Sequence, residues 1–272
     1  MLLSYSFSNF QSFRELTQVS TTVSEKVAPS DWLTTTSTGE RINKVIAVMG
    51  ANGSGKTTLL KPLVFLDWFI SHSFSQAPEA AIPFTPHFAT TNEATEFSAT
   101  AIYKGQIWKY VLRCIPERVI HEALYVKKER FKYVFVRDWD DSTQTYRIKQ
   151  QDFGFAPVEA RKVRANASLI STAAQYGIPL AKDMASSGLR SNITALGRQP
   201  LSQDLVLNAA AHFSQLSEQR TIMARLLHDW DLGLSNVELE EISVAQPDGS
   251  NNKIWLPVGI HQTTSGPRRL NF

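Results

Sequence analysis

Val45-Ile46-Ala47-Val48-Met49 runs directly into Gly50-Ala51-Asn52-Gly53-Ser54-Gly55-Lys56-Thr57, a complete G-x-x-x-x-G-K-[ST] loop. Five apolar residues before such a loop read as a buried strand, and Leu59-Leu60-x-x-Leu63-Val64 behind it reads as a helix. Glycines let a backbone turn tightly enough for successive N–H groups to converge on phosphate oxygens, at a helix N-terminus whose dipole adds positive potential. The spacing therefore predicts a nucleoside triphosphate site, with ATP and Mg²⁺ as its cofactors. Gly50, Asn52, Gly53, Ser54 and Gly55 are expected to cradle phosphates, and Lys56 to reach the β- and γ-phosphates. Thr57 is expected on Mg²⁺, and Thr58 on the α-phosphate side.

Composition sets wide bounds. A chain of 272 residues with 43% hydrophobic content can bury a substantial core as one large domain or two modest ones. Its single cysteine, Cys114, rules out an intrachain disulfide and a cysteine zinc site. The apolar neighbours of Cys114 suggest a packed strand residue, and a reducing cytoplasm is the expected location. No basic segment followed by an apolar core opens the chain, and the most apolar helical stretch, Leu63–Ile70, is short and carries Asp67, so no membrane span is expected. Net charge of +3 is too small to imply nucleic-acid binding by itself. Two basic clusters, Lys127-Lys128-x-Arg130-x-Lys132 and Arg161-Lys162-x-Arg164, read either as phosphate-backbone contacts or as solvated faces.

Along the chain, Leu3, Tyr5, Phe7, then Phe10 and Phe13 predict a strand, a turn at Asn9 and a second strand through Leu16 and Val19. The Ser/Thr-rich stretch Thr21–Glu40 reads as a mobile loop. A helix is expected over Gly55–His72, kinked near Thr58 by Pro62. Residues 73–92, with Pro78, Pro83 and Pro86, read as an irregular connection. From Glu96 to Ile148 the texture is antiparallel: strands over 97–103, 107–115, 119–128, 131–136 and 145–148, with turns at Lys104-Gly105 and Asp140-Asp141-Ser142. Helices are expected over Ala167–Tyr176 and Leu201–Trp230, the latter capped at Ser202 and Gly233. Strands Val237–Val244 and Lys253–His261 follow, with turns at Pro247-Asp248-Gly249 and Ser265-Gly266.

Other chemistries find no support. Val134-Phe135-Val136-Arg137-Asp138-Trp139-Asp140-Asp141 imitates a magnesium-binding strand end, but Arg137 breaks the apolar run and the acids fall at a hairpin tip, so they read as turn residues. Glu238, Glu240 and Glu241 read as the wet face of a strand. Six scattered histidines show no metal spacing, no Gly-x-Ser-x-Gly is present, and the aromatics read as core rather than as a platform for bases. Asn43-Lys44 lacks the aspartate of a guanine-reading motif, which argues against a GTPase.

Several segments resemble, in order, the bacterial AAA ATPases of the ABC/SMC type allied to RecF and to the OLD (overcoming lysogenization defect) proteins of phage defence. Leu2-Leu3-Ser4-Tyr5-Ser6-Phe7-Ser8-Asn9-Phe10-Gln11-Ser12-Phe13 is similar to the family's N-terminal strand and Asn-Phe-x-Ser-Phe turn, and Gly50–Leu60 to its Walker A. Pro83-Phe84 before Glu96-Phe97, Asn166–Ser171, and Trp230–Ser235 running into Val237-Glu238-Leu239 are similar to later segments. The resemblance implies an α/β P-loop NTPase core of mixed sheet, an ABC-type head over residues 1–272. Its parts would be strands, P-loop and helix over 1–72, an antiparallel β insertion over 96–150, a helical lobe over 165–232 and terminal strands over 237–272. It also implies that adenine and ribose lie against the N-terminal strands and that ATP is hydrolysed between two heads. Partners implied are a second copy of the head or a complementing chain, with an effector nuclease and DNA. In the family, the signature loop, Walker B and switch histidine follow a hairpin like His261–Phe272, so the expectation is the N-terminal part of such an ATPase, either truncated or split from a partner chain. Ser265-Gly266-Pro267-Arg268-Arg269-Leu270 mimics the signature but fits a hairpin turn better. The alternative is a nucleotide-gated module that binds ATP without turnover and recruits a partner.

Overall fold

In the computed structural model, residues 1–186, 188–194, 197, 203–230, 233–245, 251–263 and 265–271 are described. The chain divides into two compact units, Met1–Arg198 and Gln199–Phe272.

The first unit is built on strands β1 (Leu2–Ser8) and β2 (Thr17–Ser20), a small hairpin β3 (Leu33–Thr35) and β4 (Arg41–Asn43), then helix α1 (Lys56–His72) and a 3₁₀ turn at Ser73–Ser75. A meander follows: β5 (Thr95–Tyr103), β6 (Gln106–Ile115), β7 (Arg118–Lys127), β8 (Phe131–Asp140) and β9 (Thr145–Gln150). Short helices α2 (Pro157–Ala160), α3 (Leu169–Gln175) and α4 (Pro179–Ser186) complete it. The meander does not stand apart as an insertion. β5 pairs with β1, so one antiparallel sheet runs β2-β1-β5-β6-β7-β8-β9. Alternation on these strands leaves one face apolar, and α1, α3 and α4 bury it. That core is aromatic: Phe65 of α1 lies 4.7 Å, ring to ring, from Phe97 of β5, and Phe7, Phe10, Phe69 and Phe135 are also fully buried. Truncating one such phenylalanine to alanine costs about 3–5 kcal/mol.

Turn chemistry explains the hairpins. Lys104 and Gly105, both with positive φ, make the two-residue β5–β6 turn, and Gln144 takes φ 53° before β9. Ser168 caps α3 by accepting from the Ile170 and Ser171 N–H groups.

The second unit holds α5 (Gln203–Ser214), α6 (Ser217–Asp229), and an antiparallel sheet of β10 (Asn236–Ala245), β11 (Asn251–Thr263) and β12 (Gly266–Asn271). The expected single helix over 201–230 is therefore two, broken at Gln215 and Leu216 with neither glycine nor proline to announce it. Ser265-Gly266 is a hairpin turn, as expected. The expected cap at Ser202, the turn at Pro247-Asp248-Gly249 and Phe272 lie outside the described residues.

Three expectations are corrected. Val45–Met49 is not a strand: it is exposed and unpaired, with Val45 60% and Met49 88% accessible. A strand needs a neighbour to take its N–H and C=O groups, and no described strand lies beside it. For the same reason the sheet is not mixed, since every pairing among the described residues is antiparallel. The stretch Thr21–Glu40 is not a free loop. Arg41 donates to the carbonyls of Ser24, Glu25 and Val27 at 3.2, 3.1 and 2.8 Å, and Leu33–Asn43 forms a hairpin.

Candidate functional site

Helix α1 begins at Lys56, and the residue before it, Gly55, takes φ +88°, a left-handed conformation that an L side chain adopts only under strain. A Cβ there would also sit 3.3 Å from the Phe13 ring. Gly53, with φ +79°, faces open space. Gly50 is constrained by proximity: a Cβ on it would lie 2.7 Å from Ser54 Oγ. Lys56 Nζ folds back over the loop and donates to the carbonyls of Gly50 and Ala51 at 2.8 and 2.7 Å. Ser54 N–H closes the turn on Ala51 at 3.2 Å.

The start of α1 is open for an anion. No side chain caps it and no acidic residue occupies its first turn. Among the described residues, no hydrogen bond uses the backbone N–H groups of Lys56, Thr57 or Thr58. Residues 51–54 and Thr57 are exposed. A phosphate chain fits this donor set: unspent N–H groups, a lysine that needs only to exchange carbonyls for phosphate oxygens, and the positive end of a 17-residue helix.

The N-terminal segment seats this loop, a role that sequence motif reading alone did not assign to individual residues. Tyr5 Oη donates to the Leu59 carbonyl at 2.8 Å, and burial pushes its phenol up to about 12. Gln11 Oε1 accepts from Thr58 Oγ1 at 3.4 Å and from Lys61 Nζ at 3.1 Å. Phe13 and Ser12 close against Gly55. Asn9 anchors the whole turn: it is buried, its amide donates to the carbonyls of Thr90 and Glu93, and its carbonyl accepts from His87 N–H and Thr90 Oγ1. The Asn-Phe-x-Ser-Phe pattern was the available signal.

The acidic candidates lie in the β8–β9 turn and are spent there. Asp140 accepts from Ser142 and Arg147, which hold its carboxyl well below the usual range, and Asp141 accepts from Trp139 Nε1 at 2.9 Å. Arg137 does more than interrupt an apolar run. It is wholly buried, ion-paired to Glu122 at 3.4 Å, and stacked over the Tyr146 ring at 3.8 Å.

Neither member of the second basic cluster that meets a partner is free for a phosphate backbone: Arg164 donates to the carbonyls of Phe74 and Gln76, and Lys162 pairs with Glu159 at 3.0 Å. Among the described residues no cluster of three metal-ligating side chains occurs. No helix of the described residues is long and apolar enough to cross a membrane. Cys114 is fully buried, as its strand setting predicted.

No curated protein and no solved structure matches the chain. Residues 45–207, a span that includes the phosphate loop, α1, the meander and α3, match the family model described as "AAA domain, putative AbiEii toxin, Type IV TA system". Because that match covers more than half of the 272 residues, the chain belongs to this family of AAA-domain proteins.

Proposed function

We propose that the loop Gly50–Thr58 binds the triphosphate of ATP with Mg²⁺, and that this binding powers or gates an attached effector. The activity class, nucleotide binding with ATPase chemistry, follows from family membership. The observation that carries the finer reading is the open start of α1, where unspent backbone N–H groups meet the Lys56 ammonium. Gly50, Asn52, Gly53, Ser54, Gly55 and Lys56 would hold phosphate oxygens, Thr57 would ligate Mg²⁺, and Thr58 would lie on the α-phosphate side. The metal ion would neutralise developing charge on the phosphates. The protein's part is to place donors and exclude misalignment.

An ABC-type head in which a second copy or a complementing chain shares the site is supported by the exposed apolar run Val45–Met49, whose backbone stands unpaired on both edges beside the loop. Coupling to a nuclease or to phage defence, in the manner of RecF-allied and OLD proteins, rests on the order of sequence segments and on a family description that names a Type IV TA system.

A second reading has its own support. Among the described residues, Lys56 meets the carbonyls of Gly50 and Ala51, Thr58 meets Gln11, and neither meets a carboxylate. A module that binds ATP without turnover fits that arrangement.

Equilibrium binding of a fluorescent ATP analogue with Mg²⁺ tests the assignment. Lys56→Ala is expected to abolish binding. An unchanged Kd in that variant overturns the site.

A further inference from the structure

The meander turns one face of the seven-stranded sheet to α1, α3 and α4; its other face carries an unspent charge pattern. Cross-strand register aligns residues on that face in rows. One row is Ser4, Thr100, Lys109, Tyr125 and Tyr133, and the next is Ser6, Ser98, Val111, Ala123, Val136 and Lys149. Lys127 opens the neighbouring row, beside Ile107 and Phe131. Opposed residues in an antiparallel pair stand side by side, so Tyr125 stands between Lys109 and Tyr133. Both rings and Lys109 are half-buried, whereas Lys127 and Lys149 are exposed.

The charges on this face are not balanced. Its carboxylates are engaged one row further on, Glu96 with Arg113 at 3.4 Å and Asp138 with His121 at 2.6 Å. Among the described residues Lys109, Lys127 and Lys149 make no ion pair, though Lys127 senses the more distant carboxylate of Glu40. The three lysines extend from β6 to β9, about 14 Å at the spacing of neighbouring strands. Within that span lie the two tyrosines, and the hydroxyls of Ser4, Ser6, Ser98 and Thr100 extend the face beyond Lys109 onto β5 and β1. A depression of about 140 Å³, bordered by Ser6, Ser98, Val111, Arg113 and His121, opens on the same face.

We propose that this outer sheet face binds single-stranded nucleic acid, with Lys109, Lys127 and Lys149 on backbone phosphates and Tyr125 and Tyr133 stacking bases. Charge complementarity selects a polyanion. Ile42 of β4 covers one end of the face, over Ile102 and Ile107, and beyond it a sheet face that interleaves lysines with aromatic rings suits unstacked bases, whereas a duplex offers its bases only within grooves. Lys127, which the sequence left undecided, belongs to the rim of this surface as a paired position of β7, whereas Lys132, paired with Val126, lies on the opposite face of the sheet.

Fluorescence anisotropy with a fluorescein-labelled oligothymidine, titrated with the full chain in a salt series, tests this. Binding is expected at low salt and is not competed by excess ATP. Changing Lys109, Lys127 and Lys149 together to Gln should weaken it at least about tenfold and reduce the slope of log K against log salt by about 2, since each single-strand phosphate contact contributes about 0.7. The triple Arg variant should retain binding. Tyr125→Leu should cost about tenfold with the slope unchanged. Thermal unfolding of each variant confirms that it folds. The proposal is overturned by absent binding at low salt, by a slope unmoved in the triple Gln variant, or by an equal affinity for duplex that ignores Tyr125→Leu. It is also overturned if phosphatidylserine vesicles or polyglutamate, and not the oligonucleotide, bind in a manner sensitive to the three lysines.

Discussion

Glu122 of β7 and Arg137 of β8 meet at 3.4 Å with both side chains wholly buried, and around them the sheet is locked to the helical layer. The Glu122 carboxylate accepts from Tyr110 at 2.8 Å, from Ser168 Oγ at 2.7 Å and from Leu169 N–H at 3.0 Å, which ties β6 and the start of α3 to one group. Arg137 donates to the carbonyls of Val163, Arg164 and Ala167, fixing the segment before α3. Burial, with the Glu122 charge beside it, pushes the Tyr110 phenol well above its usual value, so it donates at any physiological pH.

Removing one partner of this pair should therefore be far worse than removing both. Arg137→Met leaves the Glu122 charge buried without its cation, and a loss of about 3–5 kcal/mol is expected in denaturant unfolding. Glu122→Gln combined with Arg137→Met should recover part of that loss. If the double variant is the sum of the singles, the pair is not coupled.

Why the pair escaped a reading of the sequence is instructive. Arg137 and Glu122 are fifteen positions apart and become neighbours only through the β7–β8 register, which carries a bulge between Leu124 and Tyr125. No local pattern encodes that. What a sequence does carry is local: Gly55 and Lys56 announce the start of α1, and Lys104-Gly105 announces a two-residue turn. Val45–Met49 failed in the opposite direction. Its β-branched apolar residues state a preference, but a strand exists only where a second strand accepts its hydrogen bonds. The break at Gln215 and Leu216 was hidden because neither residue is a helix breaker and tertiary packing decides the matter.

Gly55→Ala should impair the loop more than Gly53→Ala. Both positions require a left-handed backbone, at about 1–2 kcal/mol for an L residue, but only at Gly55 does the new methyl also meet Phe13, at 3.3 Å. Nucleotide titration of both variants is the measurement. Equal losses would mean that the contact with the N-terminal turn does not matter for binding.

Asp67 lies on α1, and its carboxyl accepts from Leu189 N–H at 2.8 Å. Burial raises its pKa, more than the hydrogen bond and His72 lower it. A raised folded-state pKa means that its contribution to stability is fully present below the unfolded value and is lost as pH rises through the folded value. Asp67→Asn, which keeps an acceptor for Leu189, should therefore melt higher than the parent at pH 7 and alike near pH 3. A lower Tm at pH 7 would show that the ionised form is the stabilising one.

Asp140 has the opposite sign. Ser142 and Arg147 depress its pKa, so its contribution is present above the ordinary carboxylate range and lost as pH falls through the lower folded value. Held by its own turn neighbours, it should matter little to metal. Asp140→Asn with Asp141→Asn is expected to leave Mg²⁺-dependent ATP affinity unchanged. A marked rise in the Mg²⁺ requirement, with folding intact, would make one of them a ligand.

The purified chain by itself is expected to release phosphate from ATP at or near background, and Lys56→Ala should not lower that rate. Phosphoryl transfer is accelerated by positioning water and by stabilising charge on the transferring group, and a carboxylate or equivalent must face the terminal phosphate to orient the nucleophile. Around the loop, Lys56 contacts carbonyls, Gln11 holds Thr58 and Lys61, and the first turn of α1 carries no acid. The turn acids Asp140 and Asp141 are committed to Ser142, Arg147 and Trp139. Binding of ATP and its turnover should therefore separate: the analogue titration gives a Kd that depends on Lys56, while the phosphate-release assay gives a rate that does not. Turnover that collapses in Lys56→Ala would show that residues of this chain already handle the attacking water, and the reading in which a second copy or another chain completes the site would be lost.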